Sequence, residues 1–381
     1  MTTGTLNRPD LSLKRKLLQV RWLFVLLLCA TAGVGGAMLY SAANGNIDPW
    51  ASRHLLRFAA GLVVMIAAAL TDIRLWLRYA YVFYGVALAL LGAVEIGGTV
   101  GMGARRWIDL GIINLQPSEV MKIAIVLALA RYFHGASVED VGRPTFLVLP
   151  LILVAAPSAL VLRQPDLGTA LMLIMAAGAM FFAAGVRLWK FAAIGLTAVL
   201  ALPIAWRFMH GYQRQRVLTF LDPESAALDA GYHIIQSKIA LGSGGLFGRG
   251  FMQGSQSHLN FLPEKQTDFI FTMLAEEFGL VGGLTLLGLY VLILIYGFAI
   301  AFSARNQFGR LVALGVTSTF FLYVFINIAM VMGLIPVVGV PLPLISYGGT
   351  AMMTLLFGFG LVMSVHVHRE VTVGRHGGED A

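Results

Sequence analysis

Ten runs of about 20 apolar residues divide this chain, and no other feature limits its fold so strongly. A helix needs about 20 such residues to cross a hydrocarbon core about 30 Å thick, since each residue adds about 1.5 Å. The runs lie at roughly 22–42, 55–71, 79–95, 118–133, 146–162, 168–184, 188–206, 269–302, 310–332 and 346–366. The chain is 58% hydrophobic and only 12% charged, where a soluble domain carries about 25% charge. The fold class expected is an all-α polytopic membrane protein of about ten transmembrane helices. The eighth run is long enough for a tilted or extended helix. With no soluble second domain and no 20–50-residue repeat, residues 1–381 read as a single membrane domain. Its N-tail is 1–21, its large loop between spans seven and eight is 207–268, and its C-tail is 369–381. The first run lacks an A-x-A cleavage site and reads as a retained span.

Basic residues set the orientation. With the N-terminus in the cytoplasm, every cytoplasmic segment holds at least two Lys or Arg, from Lys14, Arg15 and Lys16 to Arg369 and Arg375. The positive-inside rule therefore places both termini in the cytoplasm. The large outer loop nonetheless holds Arg207, Arg214, Arg216, Lys238, Arg249 and Lys265. A basic outer surface opposes the topology signal, which suggests an anionic ligand on that side; a loop this long also escapes the charge rule. The formal charge of +8 bears on topology and anionic lipids, and no nucleic-acid-binding pattern accompanies it. Cys29 is the only cysteine, so no intrachain disulfide forms.

Charge is most concentrated where the loop meets span eight, in LNFLPEKQTDFIFTMLAEEFG, with Glu264, Lys265, Asp268, Glu276 and Glu277. Charges at a membrane boundary are costly and mark functional sites. Asp268 reads either as a helix cap and dipole partner or as a carboxylate whose partial desolvation suits it to act as a general base. Gln116-Pro117-Ser118-Glu119 opens span four, and Glu119 and Lys122, three apart, share a helix face. They form either a structural ion pair or the lining of an outward polar cavity. Arg105-Arg106-Trp107 suits a pyrophosphate or lipid headgroup, or else anchors at the interface. Gln164-Pro165-Asp166 is a tight turn in which Asp166 can cap span six. Residues 228–241 have helical spacing, with Tyr232, Ile235 and Ile239 on one face, as in a short interfacial helix. Gly242–Gly250 (GSGGLFGRG) lacks a P-loop ending and reads as a flexible turn, although backbone amides there could cradle phosphate. Pro336–Gly349, with Ser346, reads as a re-entrant wall of the site. His366 and His368 read as surface residues. No HExxH, CxxC or GxSxG is present, so zinc- and serine-hydrolase readings have no support.

GARRWIDLG, QPSEVMK, RQPDLGTA, GYHIIQSKIALGSGGLFGRG, LPEKQTDFIFTMLAEEFG and IPVVGVPLPLISYGG together resemble the SEDS family (shape, elongation, division and sporulation), in particular its RodA-like branch. The resemblance runs from about residue 15 to 370. It implies a peptidoglycan glycosyltransferase that polymerises lipid II on the outer face of the bacterial cytoplasmic membrane, insensitive to moenomycin. Asp268 stands at the family's catalytic aspartate, and Glu119 and Lys122 at its central polar pair. The substrate-binding set this implies is Arg106, Glu119, Lys122, Gln164, Asp166, Arg214, Arg216, Gln236, Ser237, Lys238, Glu264, Lys265 and Ser346. Expected partners are lipid II and the growing glycan strand, a class B penicillin-binding protein, the elongation machinery and membrane lipids, with no nucleic acid. No cofactor is required by the sequence, and a divalent cation is left open. A flippase for lipid-linked precursors and a non-catalytic scaffold are the competing readings. Polar motifs gathered on one side argue against the first, and Asp268 would be superfluous to the second.

Overall fold

The computed structural model describes residues 13–369 except 102–103, 110, 112–113, 210, 223–229, 260 and 262–263. The N-terminal part comprises α1 (Leu13–Gln19), α2 (Trp22–Ala42), α3 (Ala51–Leu70), α4 (Ile73–Gly97), strands β1 (Thr99–Gly101), β2 (Ala104–Asp109) and β3 (Asn114–Leu115), and α5 (Pro117–His134). There follow α6 (Val138–Gly142), α7 (Pro144–Arg163), α8 (Leu167–Ala183), α9 (Leu188–Phe208), α10 (Gly211–Leu221) and α11 (Ala230–Ser243). The chain continues through α12 (Ser255–His258), α13 (Ile270–Ser303), α14 (Gln307–Val331) and α15 (Gly349–Val367). Among the described residues, α2, α3, α4, α7, α13, α14 and α15 are the 7 helices long and apolar enough to cross a membrane. The apolar helices α8 and α9 are shorter, and α5 carries Glu119, Lys122 and Arg131 in its 18 residues. Together these are the ten expected helices.

Alternating helices bring two sets of ends together. At one end Thr350 Oγ1 donates to Asn114 O at 2.8 Å and Arg106 Nη2 to Pro165 O at 2.7 Å. At the other, Arg21 Nε donates to His366 Nε2 at 3.0 Å and Ser364 Oγ to Thr71 O at 2.7 Å. The first end carries the antiparallel sheet β1-β2-β3, the one departure from an all-helical architecture among the described residues. Arg106 and Trp107 therefore lie on a strand. Between the ends, α5, α14 and α15 are buried along most of their length. Phe359 anchors this core edge-on, with centroids 5.3 Å from Phe24 and 5.2 Å from Phe320, the tilted geometry that aromatic quadrupoles favour. At the periphery α9 exposes Ile194, Leu200 and Ile204.

The 34 residues of α13 would measure about 51 Å as one straight helix, too long for a bilayer. Gly279, with φ 65° and ψ −161°, breaks it. The glycine-rich segment is the clasp on that break. Arg249 N and Gly250 N donate to Glu276 O and Glu277 O, both at 3.0 Å, while Leu280 N and Val281 N donate to Gly245 O at 2.9 Å and Leu246 O at 3.1 Å. A Cβ on Gly248 would lie 2.1 Å from Glu277 O, and its φ is +81°. Glycine is thus required for close backbone approach and for left-handed geometry. The segment is therefore an ordered clasp rather than a flexible turn, and its Arg249 and Gly250 amides are used within the protein.

Two further expectations are corrected. The buried face of α11 is Ile234, Ser237 and Ala240, whereas Ile239 is 47% exposed, because the helix packs on α13 and α14 through that face. His366 and His368 are 7% and 2% exposed, not surface residues, because α15 continues through them as an inner helix.

Candidate active site

The turn 264–269 leads into α13, and Asp268 stands near its start. Helix starts expose amides that a side chain usually caps, yet the N-cap here is Phe269, with no side-chain cap hydrogen bond. Thr267 Oγ1 instead donates to Glu264 Oε2 at 2.9 Å. Three successive carbonyls fix this backbone from other elements. Gln266 O accepts from Tyr347 N at 2.8 Å, Thr267 O from Ser346 Oγ at 2.6 Å, and Asp268 O from Asn327 Nδ2 at 3.0 Å. Asn327 Nδ2 also donates to Val340 O at 2.7 Å, joining the turn to the re-entrant segment between α14 and α15. The Asp268 carboxylate lies beside that segment, since a Cβ on Gly339 would be 3.5 Å from Oδ2. Glu264 and Leu344 hold φ of 56° and 62°, strained values for side chains of their size. Burial lowers the Lys265 pKa from its usual value, because the charged ammonium is desolvated.

The second cluster lies between α5 and α14. Lys122 Nζ meets Glu119 Oε1 at 2.6 Å. The Tyr323 hydroxyl donates to Glu119 Oε2 and accepts from Lys122 Nζ. All three residues are 3% exposed or less, so the pair is enclosed rather than set on an open wall. Charge-assisted bonds and a hydroxyl between the two ions offset the desolvation that makes an isolated buried charge untenable. Tyr323 and Asn327 are four apart on α14 and so share a face. One helix therefore supports both the ion pair and the Asp268 backbone.

The other expected residues divide by role. Arg106 Nε lies 3.7 Å from Asp166 Oδ2, and Asp166 caps α8 by accepting from Thr169 N at 3.2 Å. Gln164 Nε2 donates to Leu91 O at 3.1 Å. Arg106, Gln164 and Asp166 thus form one cluster joining β2 to the α7–α8 turn. Arg214 donates to Trp206 O and Arg207 O, both at 3.0 Å, and satisfies carbonyls at the end of α9. The Arg216 side chain lies outside the described residues. Ser237 is buried and bonds Val331 O at 2.8 Å and Thr272 Oγ1 at 2.9 Å; Gln236 is half-buried and Lys238 exposed. Glu276 Oε1 accepts from Gln256 N at 2.8 Å, and Glu277 Oε1 from Ser41 Oγ at 2.5 Å, so these glutamates tie the loop and α2 to α13.

The cell cycle protein family FtsW/RodA/SpoVE matches residues 20–371. The chain belongs to this family. The peptidoglycan glycosyltransferase MrdB of Escherichia coli K12 is 46% identical over 351 residues, 91% of this chain and 94% of that protein. The peptidoglycan glycosyltransferase RodA of Treponema pallidum is 31% identical, covering 91% of this chain and 98% of its own. Among solved structures, a chain of a peptidoglycan synthase complex that coordinates polymerization and crosslinking superposes with TM-score 0.80 at 34% identity, over 92% of this chain and 98% of that one. The rod shape determining protein RodA of Thermus thermophilus gives TM-score 0.69 at 31% identity, over 93% and 98%. In this FtsW/RodA/SpoVE member, sequence reasoning missed Tyr323 and Asn327. Each is a polar group within an apolar span, four residues from the other, and that spacing was the available signal.

Proposed function

We infer that this chain is a peptidoglycan glycosyltransferase that joins lipid II units into glycan strands, with Asp268 as the general base. Asp268 removes the proton from the 4-hydroxyl of the GlcNAc on an incoming lipid II. That oxygen attacks C1 of the MurNAc at the reducing end of the growing strand, the C1 configuration inverts, and undecaprenyl pyrophosphate leaves with the bonding electron pair. The observation that carries this reading is the state of Asp268. Its backbone carbonyl is tied to Asn327, and its carboxylate stands beside Gly339. A base held this way loses little freedom on reaching its reactive geometry.

Arg106, Lys122, Arg214 and Arg216 are the cations proposed to stabilise the departing pyrophosphate, an electrostatic contribution that grows as charge develops. Gln164, Asp166, Gln236, Ser237, Lys238, Glu264, Lys265 and Ser346 complete the proposed substrate-binding set; Ser346, Ser237 and Asp166 serve it by holding backbone. Among the described residues no three His, Cys, Asp or Glu side chains cluster to hold a divalent cation.

In this reading both termini lie in the cytoplasm and Asp268 at the outer face of the bacterial cytoplasmic membrane, which the distribution of basic residues supports. A class B penicillin-binding protein supplies crosslinking within the elongation machinery, and its transmembrane helix would pack on α13 and α14, whose exposed residues include Leu284, Val291, Phe321 and Phe325. The deciding experiment is polymerisation of purified lipid II by wild type, Asp268→Ala and Asp268→Asn. Both variants are expected to bind lipid II but form no strands. Strands made at wild-type rate by either would end the base assignment.

A further inference from the structure

At the end of the bundle opposite Asp268, a cavity of about 320 Å³ is lined by Leu18, Gln19, Val20, Arg21, His366 and Arg369. Its polar lining is Gln19, Arg21, His366 and Arg369, two cations and no carboxylate. Arg21 Nε donates to His366 Nε2 at 3.0 Å, which makes Nε2 the acceptor and leaves the imidazole proton on Nδ1. That N–H is buried without a partner, in a side chain only 7% exposed. Because Arg21 bonds through Nε, its two terminal nitrogens, the pair that forks onto a phosphate, are not used by the histidine. No salt bridge joins Arg21 or Arg369 to a carboxylate among the described residues. Arg21 is also the N-cap of α2 and provides no side-chain cap bond, so the positive end of the α2 dipole faces the same region.

The neighbouring surface indicates the depth in the membrane. Leu13, Leu18 and Trp22 are 67%, 74% and 52% exposed, while Lys16 on the same short helix turns back to donate to Leu70 O at 3.1 Å. Exposed leucines and a tryptophan beside basic residues belong at the headgroup boundary. We propose that the Arg21–His366–Arg369 cavity binds the phosphate of an anionic phospholipid headgroup, clamping α2 to the end of α15. The bland alternative is that Arg369 merely complements the C-terminal dipole of α15 and Arg21 merely holds the histidine.

Native mass spectrometry of the full-length protein in detergent, titrated separately with dioleoylphosphatidylglycerol and dioleoylphosphatidylethanolamine, distinguishes these. Wild type should retain phosphatidylglycerol preferentially and melt at a higher temperature when it is bound. Arg369→Gln, an exposed position whose loss should leave the fold intact, should weaken that binding roughly fivefold, the factor that about 1 kcal/mol per basic residue represents. Arg21→Gln with Arg369→Gln should weaken it further, whereas Arg310→Gln, at the same end but outside the cavity, should not. Equal weakening by Arg310→Gln, or unchanged binding in the double variant, would overturn the site. Competition by inorganic phosphate as effective as by the lipid would overturn the lipid assignment and leave a soluble-anion site.

Discussion

Replacing Asn327 with alanine tests whether the α14 amide positions the Asp268 carboxylate, the proposed base. Asn327 is 0% exposed, and its Nδ2 serves Asp268 O at 3.0 Å and Val340 O at 2.7 Å. Asn327→Ala deletes both bonds and strands two carbonyl acceptors in a buried site. At about 1 kcal/mol net per hydrogen bond, the loss is about 2 kcal/mol. Removing Oδ1, itself buried without a partner, returns part of this. The destabilisation should therefore be modest, and the larger effect should be on rate, because a misplaced reacting group can lower it about 100-fold. In lipid II polymerisation by purified protein, kcat should fall by one to two orders of magnitude, roughly, while KM changes little. The melting temperature should fall only slightly. A wild-type kcat together with a lowered melting temperature would refute the positioning role and make Asn327 a structural residue.

Four other outcomes follow from the same contacts. Gly339→Ala places a Cβ 3.5 Å from Asp268 Oδ2 at a residue with φ +71°, and should lower kcat more than it lowers the melting temperature. Gly248→Ala forces a 2.1 Å approach to Glu277 O, so the 242–259 segment should detach and become sensitive to limited proteolysis; unchanged resistance would refute the clasp. Tyr323→Phe removes the hydroxyl between Glu119 and Lys122 and should lower stability by about 1–3 kcal/mol in denaturant titrations. Lys265→Met should raise thermal stability at neutral pH while reducing polymerisation. Burial depresses the folded pKa of Lys265 below its usual 10.5, so the charged form opposes folding fully below that folded value and progressively less as pH rises towards 10.5. The stabilisation should accordingly shrink in melts taken at alkaline pH.

The ten helices were legible because a membrane span is a local property. Twenty apolar residues read the same whatever surrounds them, and the bounds of α2 and α13 differ from the expected ones by a residue or less. The resemblance motifs likewise singled out Asp268, Glu119 and Lys122 from short contiguous stretches. What surrounds those residues was not legible. Tyr323 lies 204 residues from Glu119, Asn327 lies 59 from Asp268, and Glu277 lies 236 from the Ser41 that bonds it. In an apolar medium a polar group must find its partner within the protein, and which partner it meets depends on how helices far apart in the chain are packed. The glycine segment shows the same division: its composition announced a break in regular structure, but only the packed α13 shows what the break is for. The sequence by itself determined the number of spans, the distribution of basic charge and the family motifs. Tertiary packing alone decided that three outside donors hold the backbone of residues 266–268, and that Glu119 and Lys122 face each other in a closed site.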